Sequence, residues 1–404
     1  MTDLLVASLS ADANEIADDV RDLRRAIHRR PELGLDNPET QQRIIDALVG
    51  LGLEITTGAD LTSVVATLRG GRPGKTILLR ADTDALPMTE DLDWEHRSEI
   101  PERAHVCGHD AHVAMLVGAA RLLAARRADL AGTVRFIFQP GEEGSGGAPL
   151  MIDEGVLTDG LDDPVSAAFA IHITPNLPVG VVGSRPGSLM ASTDDFRVTI
   201  RGRGAHASSP HFGNDPVPVA CEAVLALQTF VTRRVNVFDP AVLTVGHVTA
   251  GTTTNVIPET AVIEGTIRTV SEATRTLVRD GFEQVVRGIA AAHDCEVEID
   301  LRSGYPVTVN DGGFIDFTRQ VVTDTMGERA WFELPSPVMG AEDFSYLLQR
   351  VQGAMVFLGV CPEDISNSLL APSCHSNLMR LNEQGLPLGV ALHAAIALRY
   401  LGAS

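Results

Sequence analysis

One short segment in the first half of the chain combines side chains that bind metal ions. From His105 to His112 it reads HVCGHDAH, which holds three histidines, a cysteine and an aspartate. Cys107 and His109 are two residues apart on a predicted turn before a helix, so they can reach the same ion, and Asp110 or another carboxylate can orient an imidazole. An isolated pair is more often a buried cysteine near a surface histidine. The density of donor side chains here favours a metal site.

A second cluster contains two adjacent glutamates. Glu142 and Glu143 lie in the sequence QPGEEG, directly after a strand predicted at 133–138. Sites in open α/β sheets form at the carboxyl ends of strands. One carboxylate could therefore bind a cation while the other stays free as a base. The alternative is a solvated acidic turn, which would be the usual interpretation of an isolated Glu-Glu pair.

Other polar residues also follow predicted strands or lie in loops. Asp84 lies in RADTDALP after the strand predicted at 76–80, His172 ends the strand predicted at 167–173, and His375 lies in a polar loop before the last helix. Each alone is more typical of a structural residue. Several of them at the ends of neighbouring strands indicate one shared site.

These residue types predict a specific chemistry. Cysteine, histidine and glutamate ligands suit Zn²⁺ or another first-row divalent ion. Two such ions can share a bridging water and lower its pKa toward neutrality. A free glutamate within hydrogen-bond reach takes the proton of the water and returns it to the leaving amine. That machinery hydrolyses amides.

Other hydrolase and nucleotide-binding motifs are absent or incomplete. The segment 70–76 imitates a phosphate-binding loop, but Arg69 stands where the motif needs glycine and a strand follows, so we predict a hairpin turn there. No GxSxG sequence occurs, which weighs against a serine hydrolase of the α/β-hydrolase type. Cys374 beside His375 could form a thiol–base pair, but no third group is evident to orient it.

The elements that must position these residues form two groups. Strands alternate with helical stretches before residue 188 and again after residue 303, which predicts an α/β domain with a central sheet flanked by helices, built from 1–188 and 303–404. Between them, residues 189–302 show the order βαββαβ, which is typical of a ferredoxin-like domain. We therefore predict an inserted second domain.

Composition and charge exclude several classes of function. The 404 residues carry a formal net charge of −21, so nucleic acids and anionic membrane surfaces are not expected partners. No apolar run reaches the roughly 18 residues of a membrane span, and no basic region precedes the apolar N-terminal stretch of a signal peptide. Five cysteines without a CxxC pattern indicate a reducing cytoplasm.

Taken together, the motifs resemble those of the M20 metallopeptidase and amidohydrolase family. The chain is most similar to the branch of N-acyl-amino-acid amidohydrolases, which includes hippurate hydrolases, aminoacylases and indole-acetyl-amino-acid hydrolases. The resemblance covers nearly the whole chain in the order of the family. Its markers are IHRRPELG (27–34), RADTDALP (80–87), HVCGHDAH (105–112), QPGEEG (139–144), GRGAHASSP (202–210), NVIP (255–258), GTIRT (265–269) and MGAEDFS (339–345).

The resemblance implies roles for residues of the predicted α/β domain. Glu142 matches the general base, and Asp84 matches the acid that orients a metal ligand. The Cys-Gly-His form of the first motif marks the acyl-amino-acid branch, since peptidase branches usually carry a histidine and a bridging aspartate. The implied metal ligands are Cys107, His109, Glu143, His172 and His375.

The resemblance also implies roles for the inserted domain. His206 matches a histidine that stabilises the tetrahedral intermediate, often across a dimer interface, although from the sequence alone it is better explained as a capped loop histidine. Asn255 and Arg268 match residues that bind the amide and carboxylate region of the substrate. The domain itself corresponds to the dimerisation or lid domain of the family.

The expected activity is metal-dependent hydrolysis of N-acyl amino acids to a carboxylic acid and an amino acid. The implied cofactors are two divalent ions, Zn²⁺ or Mn²⁺, with Co²⁺ or Ni²⁺ able to replace them in vitro. The implied assembly is a cytoplasmic homodimer or homotetramer. The alternatives are a dipeptidase or carboxypeptidase that uses the same site, a metal-binding homologue without activity, and a cysteine hydrolase acting through Cys107.

Overall fold

A computed structural model gives the fold of residues 2–402, with side chains described from Ser8 onward. The helices are α1 Thr2–Glu15, α2 Ala17–His28, α3 Pro38–Leu48, α4 His109–Ala125, α5 Gly147–Asp153, α6 Pro216–Arg234, α7 Glu272–Ala292, α8 Gly312–Met326, α9 Ser345–Leu348 and α10 Leu386–Gly402. The strands are β1 Glu54–Thr57, β2 Val64–Arg69, β3 Arg72–Asp82, β4 Ala131–Gln139, β5 Val165–Thr174, β6 Val182–Ser184, β7 Gly187–Met190, β8 Ser192–Arg201, β9 Ala205–His206, β10 Ala241–Ala250, β11 Val256–Ile257, β12 Thr260–Thr269, β13 Glu296–Ser303, β14 Thr308–Asn310, β15 Trp331–Glu333 and β16 Gln352–Gly359.

The chain forms two compact units. The first contains residues 1–187, 309–335 and 346–404, and the second contains residues 188–308 and 336–345. The domain boundary predicted from the sequence assigned 303–308 and 336–345 to the α/β domain. Backbone hydrogen bonds explain why they group with the second unit: Thr193 N donates to Tyr305 O, and Ala191 N donates to Val338 O.

The first unit is built on one mixed sheet of eight strands, in the order β1-β2-β4-β3-β5-β16-β6-β15. The four central strands β4, β3, β5 and β16 run parallel. β1 and β2 pair antiparallel to their neighbours, and β6 pairs antiparallel to β16 and parallel to β15. The predicted strands at 76–80, 133–138 and 167–173 lie within β3, β4 and β5. The predicted α/β fold class with a central mixed sheet is therefore confirmed.

Burial explains why these segments form the centre of the sheet. All nine residues of β4 are buried, as expected for a parallel strand covered on both faces. Helix α4 is buried over most of its surface, and it packs with α10 beside β3. Most residues of both helices are apolar, which is typical of helices inside a core.

The last helix corrects one expectation about membrane spans. The helical segment 383–402 contains a window of 18 residues that is long and apolar enough to cross a membrane, whereas the sequence predicted no such stretch. Within the first unit, 78% of this window is buried. Its apolar character is therefore accounted for by the protein core that it helps to form.

The predicted hairpin at 70–76 is wrong. Strands β2 and β3, which flank this turn, are not neighbours in the sheet, because β4 lies between them. β2 pairs antiparallel with β4, and β3 pairs parallel with β4 on its other side. The glycine-rich turn thus carries the chain past an intervening strand. Turn composition alone does not reveal that crossing.

The second unit contains the predicted order of strands and helices. Strand β8, helix α6, strands β10 and β12, helix α7 and strand β13 follow one another, and the sheet order is β10-β12-β8-β13. The core of this unit joins Val219 and Leu227 of α6 to Phe282 of α7 and Phe196 of β8. The role of this unit in dimerisation or as a lid stays a prediction.

A buried histidine in α10 makes the stability of the first unit sensitive to acid. Burial lowers the pKa of His393 to about 3, and its ring lies edge-on to Phe169 at 5.5 Å between centroids. The unfolded chain binds this proton near pH 6.5, so stability falls as the pH drops below that value, by about 1.4 kcal/mol per pH unit. Between pH 7 and pH 5, we expect the free energy of unfolding of His393→Leu to fall by about 2 kcal/mol less than that of wild type.

Urea unfolding at both pH values measures this difference. His211→Gln, which removes an exposed imidazole, should keep the wild-type pH dependence and serves as the control. An equal loss of stability in wild type and His393→Leu would show that His393 does not remain neutral in the folded protein.

Candidate metal centre

The ends of three central strands and two neighbouring turns carry the residues of the site. Glu142 follows the last residue of β4 by three residues and Glu143 by four, and Asp84 follows the last residue of β3 by two. His172 lies near the end of β5, and His375 lies in the loop before α10. All belong to the first unit. The strand ends thus gather at one edge of the sheet, as expected for an open α/β fold.

Gly108 sets the position of the first motif. It has φ of +96°, a left-handed conformation that glycine adopts at little cost. A Cβ atom at this position would lie 2.4 Å from Cγ1 of Ile173. The glycine therefore lets the chain approach β5 closely before α4. Helix α4 begins at His109 itself, so only Cys107 lies on the predicted turn.

The donor atoms of the predicted ligands face one another. Three groups with donor atoms within 4.8 Å of each other contain two or more of the predicted ligands: Cys107 with His109 and His172, Cys107 with Glu143 and His375, and His109 with Glu142 and Glu143. Cys107 Sγ lies 3.4 Å from His172 Nε2, and His375 Nε2 lies 3.1 Å from Glu143 Oε1. All five predicted metal ligands therefore come together, with Glu142 beside them.

Backbone carbonyls fix the orientation of two of the imidazoles. His109 Nδ1 donates to the carbonyl oxygen of Asp84 at 2.7 Å, and His172 Nδ1 donates to the carbonyl oxygen of Ile173 at 2.6 Å. A carbonyl can only accept, so each Nδ1 carries a hydrogen and each Nε2 points to the cluster. Burial lowers the pKa of His172 to about 3, which keeps this ring neutral and able to act as a ligand.

Negative charge surrounds His109. Burial acts to lower the pKa of His109, but the nearby carboxylates, with Asp82 first, outweigh it and raise that pKa well above its usual value. The Asp82 Oδ2 atom lies 3.5 Å from His109 Nε2, and the nearest oxygens of Glu142 and Glu143 both lie at 3.9 Å. This concentration of carboxylates favours a bound cation.

One buried polar atom supports the presence of a metal at this site. Among the described residues, His109 Nε2 is buried and has no hydrogen-bond partner. Buried polar groups without partners are rare and costly. A thiol, three imidazoles and a carboxylate that converge around it are ligands for a first-row divalent ion. The residues present therefore fit the metal that the sequence predicts.

Asp84 contacts both glutamates and the imidazole of His109. Its carboxylate accepts hydrogen bonds from the backbone N–H of Glu142 at 2.9 Å and of Glu143 at 3.0 Å. Its backbone carbonyl accepts from the predicted ligand His109. The carboxylate lies 3.6 Å from His109 Nδ1. Asp84 therefore holds the turn that carries both glutamates.

His375 has a strained backbone. Its φ of +70° lies in the left-handed region, which costs a residue other than glycine on the order of 1–3 kcal/mol. Its backbone N–H donates to Val106 O at 2.8 Å, and this bond ties the loop to the first motif. The side chain remains 55% exposed. Strain of this kind is concentrated at functional sites.

Sequence reasoning gave no role to Asp82 and His112. His112 Nδ1 is hydrogen-bonded to Asp82 Oδ1 at 2.5 Å, and its Nε2 accepts from the N–H of Ile173 at 2.9 Å. This pair therefore supports the strand end that carries His172. The sequence pattern that could have revealed a role for His112 is its spacing of three residues from His109, which places both rings on one face of a helix.

The three remaining predicted residues lie in the second unit. His206 pairs with Val256 across β9 and β11, and the N–H of Ala207 donates to the carbonyl of Asn255 at 3.0 Å. The structure thus brings the backbones of His206 and Asn255 together. Arg268 lies on β12 opposite Thr193 of β8.

The ring of His206 has a defined orientation. Its Nδ1 accepts a hydrogen bond from the N–H of Ser208 at 3.1 Å, so the hydrogen of the neutral ring is on Nε2. The side chain is exposed. His206 is therefore able to donate a hydrogen bond from Nε2.

Proteins of known sequence resemble this chain over nearly its whole length. It is 40% identical to an IAA-amino acid hydrolase of Arabidopsis thaliana over 97% of this chain and 87% of that protein. It is 37% identical to thermostable carboxypeptidase 2 of Saccharolobus solfataricus over 98% of this chain and 99% of that protein. It is 40% identical to an N-acetyl-L-cysteine deacetylase of Bacillus subtilis over 83% of this chain and 79% of that protein.

A solved structure and a family model agree with these relatives. A dinuclear metal-binding peptidase of family M20 from Bacillus subtilis superposes with a TM-score of 0.83 and 32% identity, covering 97% of this chain and 99% of that one. Residues 78–399 match the model of peptidase family M20/M25/M40. The chain therefore belongs to peptidase family M20/M25/M40 and is a metal-dependent amidohydrolase.

Proposed function

We propose that the protein hydrolyses the amide bond of N-acyl amino acids, giving a carboxylic acid and a free amino acid. The observation that carries this proposal is the cluster of five donor side chains with Glu142 beside it. Relatives named as hydrolases of IAA-amino acids and of N-acetyl-L-cysteine support the same class of substrate.

Two divalent ions would be held by Cys107, His109, Glu143, His172 and His375. The Cys107 thiol belongs to two of the groups of converging donor atoms. A thiolate favours Zn²⁺, and the carboxylates also suit Mn²⁺. When bound, these ions polarise the amide carbonyl and lower the pKa of the attacking water.

Glu142 is the general base of the proposed reaction. Its side chain is 8% exposed, and its backbone N–H donates to Asp84. In this position a carboxylate oxygen of Glu142 takes a proton from the attacking water. The same oxygen then returns the proton to the amide nitrogen, which leaves as an amine. The expected contribution is about 10²–10⁴ in rate.

Residues of the second unit bind the substrate in this proposal. The guanidinium of Arg268 binds the α-carboxylate in a bidentate manner in this proposal. Asn255 binds the amide region. His206 donates from Nε2 to the oxygen of the tetrahedral intermediate, since its Nδ1 already accepts from Ser208.

The assembly and location follow from the same reasoning. We propose a homodimer, formed through the second unit, in which His206 serves the site of the partner subunit. Five free cysteines agree with a reducing cytoplasm.

One relative favours a second candidate function. The thermostable carboxypeptidase from Saccharolobus solfataricus matches 98% of this chain. Peptide hydrolysis uses the same metal site and general base, and it differs only in the group that is joined to the C-terminal amino acid. A dipeptidase or carboxypeptidase activity is therefore the alternative that the first experiment must separate.

That experiment combines metal analysis with substrate turnover. Elemental analysis gives the metal content, and ninhydrin detects amino acid released from N-acetyl, N-benzoyl and indole-3-acetyl amino acids and from dipeptides. We expect release from the N-acyl amino acids, loss of that release on chelation, and recovery with Zn²⁺ or Mn²⁺. An N-acyl amino acid amide, which lacks the carboxylate, is the matched control and should react more slowly.

The other outcomes decide among the alternatives. Preference for dipeptides would identify a peptidase. Bound metal without release from any substrate would identify a binding protein. Activity that survives chelation but is lost on alkylation would identify a cysteine hydrolase.

A further inference from the structure

A second thiol lies beside the predicted metal ligand Cys107. The Sγ of Cys374 is 3.6 Å from the carbonyl oxygen of Cys107 and 3.9 Å from the carbonyl oxygen of Ile173. Cys374 therefore fits between the backbone of the first motif and the end of β5. It is separated from Cys107 by 267 positions in sequence, so only the fold brings the two thiols together.

The backbone geometry suits a covalent link between these thiols. His375 N donates to Val106 O at 2.8 Å, which aligns residues 374–375 beside residues 106–107. Cys374 Sγ lies 3.6 Å from the carbonyl oxygen of Cys107, so the two backbones are neighbours. A disulfide joins Cα atoms that are roughly 4.4–6.8 Å apart, a separation that neighbouring backbones can adopt.

The donor clusters give Cys374 no part in metal binding. Cys107 belongs to two groups of converging donor atoms, whereas Cys374 belongs to none of those found among residues 2–402. Cys374 is partly exposed, and Cys107 is buried. The accessible thiol is thus the one without a ligand role.

We propose that Cys374 and Cys107 form a reversible disulfide when a hydroperoxide reaches the site. Formation of this bond removes Cys107 from the metal ligands and inactivates the enzyme until a thiol reductant restores it. The effect on activity rests on the proposed function, because it requires Cys107 to be a ligand. The disulfide itself does not.

The reaction balances with one hydroperoxide per disulfide. The sulfur of Cys374 attacks the terminal oxygen of the hydroperoxide, the O–O bond breaks, and water or an alcohol leaves, so Cys374 becomes a sulfenic acid. Cys107 Sγ then attacks the sulfur of Cys374. The S–S bond forms, the S–O bond breaks, and the departing hydroxide leaves as water with the Cys107 thiol proton, or with a proton from solvent where a metal would hold Cys107 as a thiolate. The two thiols lose two electrons and two protons, and the hydroperoxide gains them.

Cys374 would also protect Cys107 from permanent damage. A sulfenic acid that meets a neighbouring thiol condenses to a disulfide, whereas one without a partner proceeds to sulfinic acid, which ordinary thiols do not reduce. Without Cys374, a sulfenic acid formed on Cys107 would lack this neighbouring thiol to condense with. The two cysteines therefore predict a disulfide between them, and they also predict that oxidation is reversible in wild type and irreversible without Cys374.

The test treats the purified holoenzyme with hydrogen peroxide and maps its peptides without reduction by mass spectrometry. We expect a peptide linked through Cys107 and Cys374, release of metal to a chromophoric indicator, and activity at least about tenfold lower. Dithiothreitol with Zn²⁺ should restore the activity. Cys374→Ser should lack the linked peptide, keep its activity before treatment and fail to recover it afterwards.

Cys221→Ser is the matched control, because it removes the exposed thiol of the second unit, and it should behave as wild type. The absence of the linked peptide in oxidised wild type would overturn the proposal. So would equal recovery of wild type and Cys374→Ser. The peptide map and the metal release remain readable even if no substrate is hydrolysed, so failure of the proposed function is distinguishable from failure of this inference.

Discussion

Replacing Glu142 with glutamine should lower kcat by about 10²–10⁴ and leave the metal content unchanged. Glutamine has the size of glutamate, but its carboxamide cannot take a proton from the attacking water. Its backbone N–H can still donate to Asp84 Oδ1, so the turn should keep its shape. Steady-state kinetics with the preferred N-acyl amino acid and elemental analysis of the same sample measure both quantities.

Glu143→Gln is the matched comparison, since it makes the same chemical change one residue away. Glu143 Oε1 lies 3.1 Å from His375 Nε2 and belongs to two of the donor groups. This variant should lose metal as well as activity. Wild-type turnover in Glu142→Gln would show that Glu142 is not the general base. Loss of metal in this variant would show that Glu142 is a metal ligand instead.

The parts of the fold that follow from local patterns were predictable. Strand β4, most of β5 and the second half of β3 are buried on both faces. Their residues are therefore mostly apolar, and this pattern can be recognised in the sequence. The polar residues after them could then be assigned to one edge, because the carboxyl ends of parallel strands meet there. Glu142, Glu143 and His172 were found by this reasoning.

The parts that depend on distant pairing were not predictable. Whether β2 pairs with β3 or with β4 depends on the competition among strands of similar composition, and the turn at 70–76 does not decide it. The segment 336–345 belongs to the second unit through hydrogen bonds to Leu189 and Ala191. Those bonds connect residues that are far apart in sequence, and backbone pairing of this kind leaves no local pattern.

The contact of Asp84 was also hidden from the sequence. A carboxylate between two clusters can orient an imidazole, bind a metal or accept backbone N–H groups, and its residue type permits all three. Only the folded structure shows that the N–H groups of Glu142 and Glu143 converge on it. The position of Cys374 beside Cys107 could not be predicted either, because the two residues are far apart in the sequence.

The geometry of Asp84 predicts a large effect for Asp84→Asn. The side chain is fully buried, and each of its oxygens accepts one backbone N–H. Asparagine has a single acceptor oxygen. Its side-chain NH₂ group would therefore face the backbone N–H of Glu142 or Glu143, so that two hydrogen-bond donors would point at each other. A buried donor left unpaired costs about 1–3 kcal/mol. The turn would shift to relieve this conflict, moving the base and a metal ligand together.

We therefore expect Asp84→Asn to lower kcat/KM by about 10² and to weaken metal binding by about 10–100-fold. Titration of the metal-free protein with Zn²⁺, followed by assay at saturating metal, separates the two effects. Because the conflict displaces Glu142, activity should stay low even when the metal site is full. Asp36→Asn, which removes an exposed carboxylate of the same unit, should match wild type in both measurements. Full recovery of Asp84→Asn at saturating metal would mean that Asp84 holds only the ligands, and that the position of Glu142 does not depend on it.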